Sequence, residues 1–145
     1  MNTTKNITKL FLRLAISVGF LSAVADRFGL WSKEVSAWGN WDSFLEYTQF
    51  INPWFPIAMI STIGIIATTA EIVFALCILL GYKTELFAKL SGFLLLVFAL
   101  SMTISSGIKG ALDYSVFIAS AGAFALSTMK EKYMELDNLI SKRNN

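Results

Sequence analysis

Among the charged residues inside or at the ends of otherwise apolar runs, five are candidates for chemistry: Arg13, Asp26, Arg27, Glu71 and Asp113. Glu71 is the most demanding of them. It is the one charged side chain in the 24 residues from Ile57 to Leu80, a stretch long enough to cross the roughly 30 Å apolar core of a bilayer at about 1.5 Å per residue. A carboxyl group at that depth is costly unless it is neutral, paired or beside water. The chemistry open to it is proton transfer, ion pairing or recognition of a polar headgroup. Gly64, Ala67, Thr68 and Ala75 share its helix face. Small residues let helices approach closely in lipid, so Glu71 is expected to face other helices.

Arg13 is the expected partner. It lies about five residues into the first apolar run, and Glu71 about nine residues from the same side of the second. At about 1.5 Å per residue the depths differ by roughly 6 Å. Consecutive antiparallel spans are usually neighbours, and pairing offsets the burial of either charge alone. Such a pair reads first as a packing device, with a proton or headgroup role as the alternative. Asp26 and Arg27 at the far end of the first run, with Asp113 and Lys109, are expected to form a second polar cluster. Asp113 on its own reads as a helix N-cap, and Asp26–Arg27 as an interfacial charge pair. The functional alternative is the mouth of a cavity.

Composition decides what must position these groups. The chain of 145 residues is 55% hydrophobic and 15% charged, against about 25% charged in soluble domains. One integral membrane domain over residues 1–145 follows. A net charge of +2, without a basic patch, gives no reason to expect nucleic acid. Cys77 is the single cysteine and histidine is absent, so neither a redox cysteine pair nor the usual axial ligand of haem is present. No metal site or intrinsic cofactor is expected. A redox role would use a diffusible or partner-held group.

Along the chain, a first span is expected at about 8–28. Lys5, Lys9 and Ala23-Val24-Ala25 together resemble a cleavable signal, but Arg13 interrupts its apolar region, so the run reads as an uncleaved span. Residues 29–56 hold all four tryptophans, Trp31, Trp38, Trp41 and Trp54, residues that favour the membrane–water interface. Trp41, Phe44, Leu45, Thr48 and Ile51 follow helical spacing. They predict an amphipathic helix over 41–51 that lies on the membrane surface or caps the bundle and ends at Asn52-Pro53. Further spans are expected at 57–80, 86–105, where Lys89 snorkels, and 113–129. Residues 130–145 form a charged, polar tail with a weak amphipathic pattern. The fold class is therefore all-α, a transmembrane four-helix bundle with a short amphipathic interfacial helix between spans one and two. Nine basic residues fall on the side of both termini and three on the other, which predicts both termini in the cytoplasm.

The order and spacing of several short segments resemble the DoxX family. They are Leu12-Arg13-Leu14, Asp26-Arg27-Phe28-Gly29-Leu30-Trp31, Ala70-Glu71-Ile72, Leu79-Leu80-Gly81-Tyr82-Lys83-Thr84 and Leu112-Asp113-Tyr114-Ser115. The resemblance covers nearly the whole chain. It implies a four-helix protein of a bacterial-type cytoplasmic (inner) membrane, related to DoxD, the small membrane subunit of thiosulfate:quinone oxidoreductase. It differs where Arg27 stands in place of the lysine of a Gly-x-x-Lys pattern. The resemblance implies quinone-linked or sulfur/thiol redox chemistry, with a quinone as the candidate ligand and a redox protein or a second copy as partner beside the lipid bilayer. The residues themselves leave a second class open: a non-catalytic scaffold, assembly partner or small-solute carrier. Cys77 reads as a small core residue, and Tyr114 with the aromatic loop could border a quinone-sized slot.

Overall fold

The computed structural model describes residues 3–143. Seven helices follow in order: α1 (Thr3–Arg27), α2 (Trp41–Ile51), α3 (Ile57–Leu80), α4 (Thr84–Ser106), α5 (Ile108–Asp113), α6 (Val116–Ser127) and α7 (Leu136–Arg143). No strand occurs among the described residues. Three helices, α1, α3 and α4, are long and apolar enough to cross a membrane.

Their faces are sorted in reverse of a water-soluble protein. On α1 the buried side includes Asn6, Lys9, Arg13, Ser17 and Arg27, while Ile7, Phe11, Leu14 and Val18 are exposed. On α3 the buried side carries Gly64, Thr68, Glu71 and Ala75, with Ile65, Ile66, Val73 and Leu76 outside. Polar groups turned inward and large apolar ones outward fit a protein embedded in a membrane.

Helix α1 packs against α3 and α6, and α4 against α3 and α6. Close approach depends on two glycines. A Cβ on Gly92 would lie 2.9 Å from the Phe124 ring of α6, and one on Gly64 only 2.6 Å from Leu45 of α2. The Ser120 hydroxyl of α6 also donates to the Gly92 carbonyl at 2.8 Å. Two apolar layers fill the interior: Ile78, Ala88 and Leu126 near one end, and Ile51, Ala99, Met102 and Ala111 near the other.

The expected amphipathic helix forms over Trp41–Ile51, with Asn40 as its N-cap through a 2.9 Å bond from the Ser43 N–H. It buries Phe44, Thr48 and Ile51 and packs on α3 and α4. Asn52, which closes it, accepts the Ser101 hydroxyl of α4 at 3.0 Å. The α3–α4 turn uses Gly81 in the left-handed region, φ 72°, a conformation glycine adopts without strain.

The expected span over 113–129 is shorter and interrupted. Ser115, at φ 56°, breaks the chain between α5 and α6. Helix α6 has 12 residues, about 18 Å at 1.5 Å per residue, well short of the roughly 30 Å core.

Candidate functional site

Arg27 is the last residue of α1 and Glu71 sits beyond the middle of α3. In a helix, side chains lean toward the N-terminus. The two helices run antiparallel, with the start of α1 beside the end of α3. Arg27 therefore leans back along α1 and Glu71 leans toward the start of α3, so the two converge. Arg27 Nη1 lies 2.7 Å from Glu71 Oε2, and Nη2 donates to Oε1 at 2.9 Å. Nη1 also donates to the Thr68 hydroxyl at 2.7 Å, three residues back on the same face of α3. Both charged side chains are at most 3% exposed.

Aromatic rings complete the enclosure. The guanidinium carbon is 4.0 Å from the centre of the Phe44 ring and 5.4 Å from that of Trp38, within cation–π range. Trp38 stands edge-on to Phe44 with centroids 5.4 Å apart. Phe44 belongs to α2, so the amphipathic helix covers the ion pair. The remaining guanidinium donor, Nε, is buried without a hydrogen-bond partner.

Asp26, next in sequence, does different work. Its carboxylate accepts the backbone N–H groups of Ala37 and Trp38 at 3.0 and 2.9 Å and the Ser36 hydroxyl. These bonds fix the loop that carries Trp38 to Arg27. Asp26 is a positioning residue for the aromatic enclosure.

Arg13 does not reach Glu71. It leans toward the start of α1, away from a carboxylate that leans the other way. Its Nε and Nη2 donate to the Ile78 and Leu79 carbonyls at 2.9 Å each, and Nη1 to those of Tyr133 and Met134 at 3.0 Å each. The last carbonyls of a helix have no intrahelical partner and carry partial negative charge. Arg13 thus closes the end of α3 and ties residues 133–134 to it.

Asp113 also lies apart. It is exposed, ends α5 rather than capping α6, and pairs with Lys109 one turn earlier. The expected cluster of Asp26, Arg27, Asp113 and Lys109 does not assemble. Of the five candidates, Arg27 and Glu71 meet, Asp26 supports them, and Arg13 and Asp113 serve other contacts.

Sequence reasoning missed a second buried pair. Lys9 Nζ lies 2.7 Å from Glu135 Oε1, with both side chains 2% exposed, and donates to the Glu131 carbonyl at 2.6 Å. The signal was present: Lys9, Arg13 and Ser17 recur every fourth residue, one polar stripe on an apolar helix. Thr68 and Phe44 were also missed as partners of the ion pair.

Beside the enclosure, a groove of about 410 Å³ is lined by Gly19, Ala23, Asp26, Trp31, Val35 and Trp38, among others. Trp38 is common to the groove and the ion pair. Tyr114 is exposed and does not line it. No group of three or more metal-ligating side chains gathers among the described residues. Comparison with known proteins finds no matching family model, no matching curated protein and no matching solved structure.

Proposed function

We propose that this chain is a DoxX-like four-helix membrane bundle, with α1, α3, α4 and α6 as its members, that serves as the small membrane subunit of a quinone-linked redox system. On this reading it sits in a bacterial-type inner membrane with its start and residues 130–143 on the cytoplasmic side. The observation that carries the reading is the Arg27–Glu71 pair, buried beneath Phe44 and Trp38 beside a groove that shares Trp38. The groove's apolar wall of Gly19, Ala23 and Val35 suits an isoprenoid tail, and Ser22 is the hydroxyl among its lining residues.

A bound quinone would supply two-electron, two-proton chemistry, with electrons delivered by a partner protein. Within the chain, Arg27 holds charge and donates hydrogen bonds, and Glu71 fixes Arg27 and offers a carboxylate for proton exchange. Phe44 and Trp38 exclude water. Asp26 keeps Trp38 in place.

A second reading, a scaffold or assembly partner without catalysis, has its own support. Both terminal nitrogens of Arg27 are already engaged by Glu71 and Thr68. The test is direct. Protein purified in mild detergent is extracted for quinone, then titrated with a short-chain quinone while tryptophan fluorescence is followed. Saturable quenching that weakens in a Trp38→Leu variant supports the first reading. A folded protein with neither bound quinone nor saturable quenching leaves the scaffold.

A further inference from the structure

Residues 130–143 carry a sorting of charge that the ion-pair site does not explain. Their acidic groups turn toward the protein. Glu131 lies 3.7 Å from Lys5, Glu135 2.7 Å from Lys9, and the Asp137 carboxylate accepts the Lys83 N–H at 2.8 Å. The Asp137 N–H donates to the Gly81 carbonyl at 3.2 Å. Two bases of the same segment, Lys130 and Lys132, stay exposed, and the sequence adds Lys142 and Arg143.

Helix α7 begins within this clamp. Leu136, Leu139 and Ile140 fall three and four residues apart, on one helix face, and all three are exposed. This face packs against no other element among the described residues. It lies at the level where α1 begins, α3 ends and α4 begins, the shared end of the three helices long and apolar enough to cross a membrane. Lys5, Lys83 and Lys89 stand at that same level and are exposed.

We propose that α7 lies along the membrane as an interfacial helix, with Leu136, Leu139 and Ile140 dipping into an anionic leaflet and the exposed Lys130 and Lys132 meeting its headgroups. A short apolar ridge beside clustered Lys and Arg is the pattern of helices that lie in the headgroup region, and anionic lipid attracts such basic segments. Charge complementarity selects the occupant. With the carboxylates of the segment engaged internally, Lys5, Lys83, Lys89, Lys130 and Lys132 face outward at this level against one exposed acid, Glu85, so the surface is net basic. Lys9 and Arg13 hold the start of the segment, so α7 meets the leaflet at a fixed position.

The test uses the full chain in lipid nanodiscs. Cys77→Ala with Leu139→Cys, labelled with an environment-sensitive fluorophore, is compared in discs of phosphatidylcholine and discs containing phosphatidylglycerol. Blue-shifted emission in the anionic discs is expected, with a smaller shift in neutral discs. The difference should fade near 1 M salt, where charges are screened beyond about 3 Å. Lys130→Gln with Lys132→Gln should reduce it as well. Water-like emission in anionic discs overturns the proposal. So does an equal, salt-insensitive shift in both lipids, which removes the role of charge. Disulfide crosslinking between copies through unlabelled Leu139→Cys overturns it too, since a second copy would then cover the face.

Discussion

Arg27 and Glu71 meet in a two-point ion pair across 44 positions of sequence, at 2.7 and 2.9 Å. Each leans toward the start of its own helix, and because the helices are antiparallel these directions face one another. Losing one member strands the other in the interior, which costs about 3–5 kcal/mol for a buried pair. Arg27→Met and Glu71→Leu should each lower stability by that order. The combination of Arg27→Met with Glu71→Leu should be milder than either alone. Denaturant unfolding in detergent micelles, followed by tryptophan fluorescence, measures all three.

Arg13 gives the contrasting result. Its donors go to four carbonyls and none to Glu71. Arg13→Met should destabilise by leaving the Leu79, Tyr133 and Met134 carbonyls without their donor, while Ile78 keeps the Gly81 N–H, at about 1–3 kcal/mol for each group that water cannot reach. A double-mutant cycle of Arg13→Met and Glu71→Leu should be additive to within about 0.5 kcal/mol, as for independent sites. A coupling of several kcal/mol would instead place Arg13 beside Glu71.

These two arginines show what was legible in the sequence. The apolar runs and the helical spacing from Trp41 to Ile51 announced three of the four expected long apolar helices and the covering helix, because length and periodicity are local properties. The choice between Arg13 and Arg27 was not local. Depth alone favoured Arg13, but direction decides contact, since a side chain covers the turn before its own Cα. Glu135 was hidden for a related reason. It lies in a charged stretch that reads as solvated, and only the return of residues 130–137 across Gly81 buries it. Ser115, which divides α5 from α6, carries no glycine or proline to announce the break.

Asp26 should control the aromatic enclosure without touching Glu71. Asp26→Ala removes the acceptor of two backbone N–H groups, at Ala37 and Trp38, and of the Ser36 hydroxyl. A loss of about 1–3 kcal/mol follows if one of these donors is left without water. Release of Trp38 from Arg27 should also move tryptophan emission to longer wavelength. Trp38→Leu in the same background should abolish most of that change. Unaltered emission in Asp26→Ala would show that the loop is held by other contacts.

Gly81 should tolerate no side chain. Its φ of 72° suits glycine, and a Cβ would stand 2.6 Å from the Glu135 Cα. That neighbour is backbone and cannot rotate away. Gly81→Ala should therefore cost more than the roughly 1 kcal/mol of an ordinary left-handed Gly→Ala change. Gly107 provides the comparison, since it also has positive φ, 89°, but open space around its Cβ. Thermal unfolding of both variants should show the larger loss at Gly81.

The Lys9–Glu135 pair should decide whether residues 130–137 stay docked. Lys9 bonds both the Glu135 carboxylate and the Glu131 carbonyl, and its side chain is 2% exposed. Lys9→Met removes both bonds and leaves the Glu135 carboxylate buried without its cation, a penalty large enough to drive the segment outward. Arg13 would still hold the Tyr133 and Met134 carbonyls, so release should be partial. In Lys9→Met with Arg13→Met, the segment loses both buried cations and should open further, as far as the Asp137 contacts with Gly81 and Lys83 allow. Limited trypsin digestion reads this directly, because Lys130 precedes the clamp and Lys132 lies within it, between Glu131 and Glu135. Cleavage there should be slow in the native chain, faster in Lys9→Met and fastest in the double variant. Pairing Lys9→Met with Glu135→Leu should slow it again, since no buried charge is then left unpaired. If cleavage rates do not differ between the native chain and Lys9→Met, the pair does not hold the segment in place.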